Sequence, residues 1–177
     1  PSYSYSATVV EVEVDPETGV YRVPHVWMAH DIGRALNAAV AMGQIEGSVY
    51  MGLGEAMMEE MAYRDRSHKG HRVFVHKIPS LLEYKSPSAL EMPTVTTYVV
   101  EDPDKNGPFG AKEVGQGPLL PMMPAVANAI FDAVGVRVDE IPCSFEKVFA
   151  ALQAKDKRYG PSQGADGVPT VDFGESL

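Results

Sequence analysis

Residues 30–60 read HDIGRALNAAVAMGQIEGSVYMGLGEAMMEE, and this stretch decides which fold the sequence predicts. Apolar side chains recur at helical spacing over residues 40–62, so the pattern predicts an amphipathic helix there. Glycines interrupt the helix at four positions, although each costs a helix interior about 1 kcal/mol relative to alanine. They are Gly43, Gly47, Gly52 and Gly54. Such a set indicates that another backbone or a ligand approaches the helix closely.

Strands are predicted on both sides of this helix. Residues 7–14, ATVVEVEV, end in an alternation of valine and glutamate that is typical of a half-buried strand. The turn-forming residues DPETG separate them from residues 20–29, so the two stretches predict a β-hairpin. Residues 95–102 predict a further strand, because β-branched and aromatic side chains are enriched there.

The rest of the chain is predicted to contain two more helices, a loop and a tail. Residues 124–134 and 144–155 have amphipathic helical spacing. Residues 64–77 contain three histidines but have turn composition, and they predict a solvated loop. Residues 156–177 lack periodicity and predict an extended or disordered tail. The whole pattern predicts an α+β fold, with a β-hairpin and a mixed sheet packed with amphipathic helices in one unit over residues 1–155.

The composition argues against several classes of function. The chain has 177 residues and a formal net charge of -9, whereas nucleic acids and anionic membranes attract a surplus of Lys and Arg. No apolar run reaches the roughly 18 residues of a membrane span, and no signal peptide is visible, so a cytoplasmic protein is expected. Cys143 is the single cysteine. An iron–sulfur cluster usually needs about four cysteine ligands, so any such cluster is expected on another chain.

Residues 110–118, GAKEVGQGP, combine glycines with charged and amide side chains just before an apolar helix start. One interpretation is a surface turn. The other is a loop shaped around a bound cofactor, because the N–H groups of a glycine-rich backbone can bind oxo or phosphate oxygens. The residues by themselves leave both interpretations open.

Three stretches together resemble the xanthine oxidase family, the molybdenum hydroxylases. Residues 30–60 carry the pattern D-x-G-x-x-L-N followed by G-Q-x-E-G, residues 110–120 carry a K-x-V-G loop, and residues 124–142 read PAVANAIFDAVGVRVDEIP. Their order and spacing agree with the family over about residues 5–153. The resemblance implies the C-terminal part of a molybdopterin-binding subunit, and hence a piece of a larger molybdopterin-binding domain. Residues 83–95 and 107–137 are most similar to the 4-hydroxybenzoyl-CoA reductase branch.

The function that this resemblance implies is part of the molybdenum cofactor-binding subunit of an oxidoreductase that acts on an aromatic substrate. Reductive dehydroxylation of a hydroxybenzoyl-CoA is the first hypothesis. Oxidative hydroxylation of a purine, N-heterocycle or aldehyde is an alternative, and so is a non-catalytic module that closes the cofactor cavity of a partner subunit. The implied cofactor is molybdenum-molybdopterin, with its cytosine dinucleotide form as a variant. The implied partners are the remainder of the subunit, an iron–sulfur subunit and an FAD subunit, and the chain is expected to be inactive alone.

The resemblance also implies the cofactor contacts. Gln44 matches a glutamine of the family, and its amide can both donate to and accept from a pterin edge. Gly43 and Gly47 flank it and would let the cofactor come close. In the second motif, the positions implied to bind the cofactor are Lys112, Val114, Gly115 and Gly117. No residue of this chain is predicted to ligate a metal.

Gln116 stands where the family keeps a glutamate that acts as a base, and an amide cannot accept a proton at neutral pH. Three explanations remain open. Gln116 orients a substrate in an enzyme whose chemistry runs in another direction, Glu113 supplies the carboxylate instead, or the chain is not catalytic. The first is favoured, because the rest of the loop matches the family. Gln116 and Glu113 are therefore the two catalytic candidates.

Overall fold

A β-hairpin and a parallel strand form the sheet of this protein. The computed structural model describes residues 2–158. β1 (Ser6–Val14) and β2 (Tyr21–Asp31) pair antiparallel, with a register shift between Glu11 and Glu13. β5 (Thr94–Val100) pairs parallel to β2 on its other side, so the strand order is β1-β2-β5. Because β2 and β5 run the same way, their carboxyl ends meet at one edge of the sheet. The predicted hairpin, the strand near residue 95 and the α+β class are confirmed.

Three helices contribute to the hydrophobic core in the part of the chain that the structure describes. They are α1 (Ala38–Met57), α2 (Met122–Val134) and α3 (Phe145–Arg158). α1 packs on α2 and β5, and α2 packs on β1. Alternate residues of β2 point toward the helices, since successive side chains of a strand face opposite sides. The core joins side chains of β2 and all three helices, among them Val26, Met28, Ile45, Val49, Leu53, Met122, Val126, Ile130 and Val148.

Helix α1 begins two residues before its predicted start and ends five residues before its predicted end. Asn37 caps it, because its Oδ1 accepts a hydrogen bond from the Val40 N–H at 3.2 Å. Close approach of another element explains one of its glycines. A Cβ added at Gly52 would lie 2.6 Å from the Cβ of Met122, whereas a Cβ added at Gly43 or Gly47 would meet nothing within 4 Å. A Cβ added at Gly54 would lie 3.0 Å from the Glu59 carboxylate, so only Gly43 and Gly47 are left without a reason inside the described fold.

The predicted solvated loop at 64–77 is wrong in its secondary structure. β3 (Tyr63–His68) and β4 (His71–His76) form a separate antiparallel hairpin there. Its two-residue turn, Lys69 and Gly70, has φ of 50° and 79°, which matches the twist that a tight hairpin needs. The described side chains of this hairpin are mostly exposed, so its solvated character is as expected.

The remaining helices follow the sequence closely. α2 ends at a left-handed residue, Gly135, with φ of 68°, and α3 follows Ser144, whose Oγ accepts the Lys147 N–H at 3.4 Å. α3 continues three residues past its predicted end at residue 155. Most of the predicted tail, residues 159–177, lies outside the described residues. Among the helices that are described, none is long and apolar enough to cross a membrane.

Candidate functional site

The loop at 110–118 is built onto the carboxyl end of β2. Lys112 donates its backbone N–H to the Ile32 carbonyl oxygen at 2.8 Å, and Arg34 donates to the Gly110 oxygen at 2.9 Å. Gly33 and Ala111 form an antiparallel bridge between these bonds. The start of the loop therefore extends the sheet at the edge where β2 ends, and its position is set by the backbone rather than by a mobile turn.

A buried ion pair between Lys112 and Asp31 holds the loop at the same edge of the sheet. Lys112 Nζ lies 2.6 Å from Asp31 Oδ2, and the two side chains are only 7% and 8% exposed. Asp102 Oδ2, just beyond β5, lies 3.3 Å from the same ammonium. Burial alone would raise the pKa of Asp31, but the hydrogen bonds from Lys112 and from the Gly33 N–H outweigh it and lower that pKa. The hydrogen bond to Asp31 raises the pKa of Lys112. The lysine thus anchors the loop, and its cofactor contact stays a prediction.

Glu113 turns its carboxylate back onto its own loop. Oε2 accepts the Gln116 N–H at 3.0 Å, and Oε1 accepts the Gly117 N–H at 2.8 Å. Hydrogen bonds to a charged acceptor are among the stronger ones in proteins, so this clamp closes residues 113–117 into a compact loop. Val114, the residue after Glu113, packs against the hydrophobic core.

His30 is a site residue that sequence reasoning missed. Its side chain is fully buried, its Nδ1 lies 2.7 Å from Ser6 Oγ, and its Nε2 lies 3.2 Å from the Glu113 carbonyl oxygen and 3.4 Å from Glu113 Oε1. The sequence did hold a signal for it. Residue 30 lies one position past the predicted strand 20–29 and continues the alternation of Val26 and Met28, and a buried histidine at such a position needs polar partners.

Gly117 is required by this arrangement. A Cβ at residue 117 would lie 2.5 Å from His30 Cε1 and would also collide with the carboxylate of Glu113. No larger residue could close the loop without displacing one of these groups. The glycine therefore has a structural reason within the chain, in addition to its predicted contact with the cofactor.

The structure brings the two predicted motifs together. The buried Ser48 hydroxyl of α1 donates to the carbonyl oxygen of Gly115, and Gln44 Oε1 lies 3.9 Å from the Cβ position of Gly115. Gly43 and Gly47 are exposed on the side of α1 that points away from the core. Gln116 follows directly on the loop, and its side chain is exposed.

The resulting surface carries groups that bind and orient. In the part of the chain that the structure describes, the amides of Gln44 and Gln116 have no hydrogen-bond partner. Each amide can donate and accept, and the bare backbone of Gly43 and Gly47 lies beside Gln44. Within the described residues, no group of three or more His, Cys, Asp or Glu side chains could hold a metal ion. The arrangement suits a polar ligand that presents both donors and acceptors.

Comparison with known proteins supplies the family. Residues 1–93 match the family model described as the molybdopterin cofactor-binding domain. The gamma subunit of the 6-hydroxypseudooxynicotine dehydrogenase complex of Paenarthrobacter nicotinovorans is 35% identical over 159 residues, which cover 88% of this chain and 19% of that protein. The nicotine 6-hydroxylase large subunit of the same organism is 30% identical over 182 residues, which cover 98% of this chain and 21% of that protein.

A solved structure agrees with this result. The aldehyde oxidoreductase of Desulfovibrio gigas has a TM-score of 0.74 and 32% identity, over 85% of this chain and 16% of that chain. This chain spans about a fifth of the length of the curated relatives that it matches. The prediction of the family is confirmed, while the 4-hydroxybenzoyl-CoA reductase branch stays a prediction. With a family model that matches more than half of its residues, the chain belongs to the molybdopterin cofactor-binding domains of the molybdenum hydroxylase family.

Proposed function

We propose that the chain forms one wall of the molybdopterin site in an oxidoreductase of this family. The observation that carries the proposal is the contact between the two motifs. Gln44 on α1 and Gly115 on the loop are 71 residues apart in sequence (115 minus 44), yet the Gln44 oxygen lies 3.9 Å from the Cβ position of Gly115. The wall then consists of the outward side of α1 and the loop 113–117.

The residues on this wall fit the chemistry of the cofactor. A molybdopterin presents ring N–H and carbonyl groups and a phosphate, and an exposed amide can pair with either kind of group. The open space at Gly43 and Gly47 would let a flat ring approach the helix backbone. When bound, the cofactor supplies two-electron redox chemistry at a carbon atom of the substrate. In this proposal Gln44 holds the cofactor edge, Gly43 and Gly47 admit it, and Lys112 and Val114 keep the loop in place.

The substrate class we propose is an aromatic N-heterocycle that is oxidised. Two relatives are named as a nicotine 6-hydroxylase and a 6-hydroxypseudooxynicotine dehydrogenase, which supports oxidation of a nitrogen-containing ring compound. Their names as a large subunit and as a gamma subunit of a complex support assembly with further subunits. The iron–sulfur clusters, the FAD and the cytosine dinucleotide form of the cofactor belong to this proposal, as does a cytoplasmic location.

Reductive dehydroxylation of a hydroxybenzoyl-CoA is the second candidate, and Gln116 favours it. The Gln116 side chain is exposed on the wall and cannot take a proton from a substrate or water. An amide would instead orient a substrate through a fixed donor and acceptor. Direct comparison of the two directions on purified complex, with an oxidisable N-heterocycle and with a hydroxybenzoyl-CoA, separates these candidates.

The test of the wall itself is Gln44→Ala in the assembled complex. Loss of a buried amide contact leaves a polar cofactor group unpaired, at a cost of roughly 1–3 kcal/mol, so molybdenum content should fall while the fold is kept. Glu46→Ala is the matched control, because residue 46 is exposed on the same helix but on the other side from residue 44. Full molybdenum content and full turnover in Gln44→Ala would remove the basis of the proposal.

A further inference from the structure

Ser6 and His30, to which the proposed function gives no role, form a connected set of polar groups with Glu113 of the wall at the end of β2. We infer that His30 is a positioning residue, which holds Glu113 and thereby sets the backbone of the loop 113–117 and the placement of Gln116. This inference rests on the proposed function, because it takes the loop as part of the cofactor wall.

The contacts of His30 fix the role of its Nε2 atom. The two atoms of Glu113 near Nε2 are a carbonyl oxygen at 3.2 Å and a carboxylate oxygen at 3.4 Å, and both can only accept. Nε2 must therefore carry a hydrogen and donate it. The Ser6 hydroxyl lies 2.7 Å from Nδ1 and can either donate to that nitrogen or accept from it. Ser6 thus gives the other ring nitrogen a polar partner while Nε2 holds Glu113.

Glu113, held by His30, in turn holds the backbone of the loop. Its carboxylate is half exposed, at 47%, yet its two oxygens accept the backbone N–H groups of Gln116 and Gly117. A carboxylate committed in this way shapes the loop and does not serve as a free base. The tight contact of Gly117 with both His30 and Glu113 leaves little room for another loop conformation.

Two neighbouring residues of the central strand hold two neighbouring residues of the loop. His30 holds Glu113, and Asp31 holds Lys112 through the buried ion pair. β2 lies between β1 and β5, so it is the most firmly supported strand of this sheet. Sites that work by orientation need such support from rigid elements, because a displacement of about 1 Å is enough to lose function. These two attachments together set the position of Gln116, which lies three residues after Glu113.

The experiment compares substitutions at His30 in the assembled complex by hydrogen–deuterium exchange, molybdenum content and steady-state kinetics. His30→Phe keeps a ring of similar size but removes the donor to Glu113. We expect the Gln116 and Gly117 amides to exchange about tenfold faster, the equivalent of about 1.4 kcal/mol. We expect kcat to fall more than KM changes, because an amide that orients the substrate would be misplaced. His30→Gln restores a donor near Nε2 and should recover part of the protection and of kcat.

His25→Phe is the matched control. His25 lies on the same strand but on the opposite face, where its Nε2 pairs with Thr96 Oγ1 at 2.8 Å and its ring stacks on Trp27. This variant should leave exchange in the loop unchanged. Parental exchange and parental kinetics in His30→Phe would overturn the inference, as would equal loosening of the loop in His25→Phe.

A second variant keeps the inference testable if the buried His30→Phe does not fold. Glu113→Gln changes a half-exposed side chain. The new amide can accept a hydrogen bond from one of the two loop N–H groups, but it presents its own N–H donors to the second one. The same increase in exchange is expected, and unchanged exchange would count against the positioning role.

The proposed wall has its own separate outcome. If Gln44→Ala and Gln116→Ala keep molybdenum and turnover while the exchange results hold, the wall is wrong and the clamp remains. If those two variants lose activity while His30→Phe and Glu113→Gln match the parent, the clamp is wrong and the wall remains.

Discussion

Lys112 Nζ lies 2.6 Å from Asp31 Oδ2 with both side chains buried, so an ion pair ties the candidate loop to the last residue of the central strand. The pair predicts how stability depends on pH. The pKa of Asp31 is lowered below its ordinary value of 3.8, so its contribution is present above pH 3.8 and is lost as pH falls through the lower, folded-state pKa. The pKa of Lys112 is raised above 10.5, so its contribution is present below pH 10.5 and is lost as pH rises through the higher, folded-state pKa.

We therefore expect Asp31→Asn to destabilise the chain most between about pH 4 and pH 10, and progressively less toward stronger acid. Urea-unfolding midpoints of the parent and the variant across pH 2–8 measure this difference. Asp65→Asn is a suitable control, because Asp65 pairs with Arg72 on the exposed hairpin. A constant difference between Asp31→Asn and the parent at every pH would show that the ion pair is not responsible.

Gly43→Ala and Gly47→Ala should separate stability from cofactor binding. A Cβ at either position meets nothing within 4 Å, so each change should stabilise α1 by about 1 kcal/mol. The same methyl groups would occupy the space into which we place the cofactor, and molybdenum content should fall. Thermal unfolding of the chain and metal analysis of the complex give the two readouts. Gly52→Ala, which collides with Met122, should instead destabilise the chain. Higher stability together with full molybdenum content would place the cofactor elsewhere.

Gln116→Glu should restore a base in the position where the family keeps one. If the complex oxidises an N-heterocycle, we expect turnover to rise by on the order of 10²-fold, the usual contribution of a positioned base. If the complex removes a ring hydroxyl reductively, the native rate should fall, because the fixed donor of the amide is lost. Gln153→Glu makes the same chemical change on an exposed position of α3 and should alter neither rate. Parental rates and pH profile on all substrates would show that residue 116 lies away from the reaction.

Gly117→Ala should destabilise the loop by roughly 1–3 kcal/mol, the usual cost of overpacking. The added Cβ would sit 2.5 Å from His30 Cε1, and the neighbours that it meets are themselves hydrogen-bonded. Gly115→Ala is the control in the same loop, since a Cβ there makes an ordinary contact with Gln44 at 3.9 Å. Chemical denaturation of both variants measures the difference. Equal stability of the two variants would mean that the hydrogen bonds of Glu113 adjust to the added methyl group at little cost in free energy.

Local pattern was enough to predict most of the fold. The alternation of valine and glutamate marks β1 because those residues alternate between the core and solvent, and Ser144 marks the start of α3 because its side chain caps the helix. The hairpin β3–β4 was missed although its turn residues, Lys69 and Gly70, were visible. Its strands are exposed on nearly every side chain, so no apolar periodicity reveals them.

The site was harder to predict, because it depends on contacts between distant segments. Gln44 and the loop could be selected by resemblance, but the sequence does not show that Gly52 packs on Met122 while Gly43 faces open space. His30 owes its role to Ser6, 24 residues before it, and to Glu113, 83 residues after it. No local rule connects residues that far apart, and only the register of β1 on β2 and the path of the loop bring them together.

The parallel pairing of β2 with β5 also has a consequence for folding. His25 pairs with Thr94, so this contact joins residues that are 69 positions apart in sequence (94 minus 25). We expect such contacts to form late, because the chain loses the entropy of closing the intervening loop before the contacts can stabilise it. Asp102 follows β5 closely in sequence, so its contact with Lys112 depends on the position of β5 beside β2. We therefore expect the candidate wall to be complete only once β5 has paired with β2, so that a partly folded chain without this pairing would not present the assembled surface.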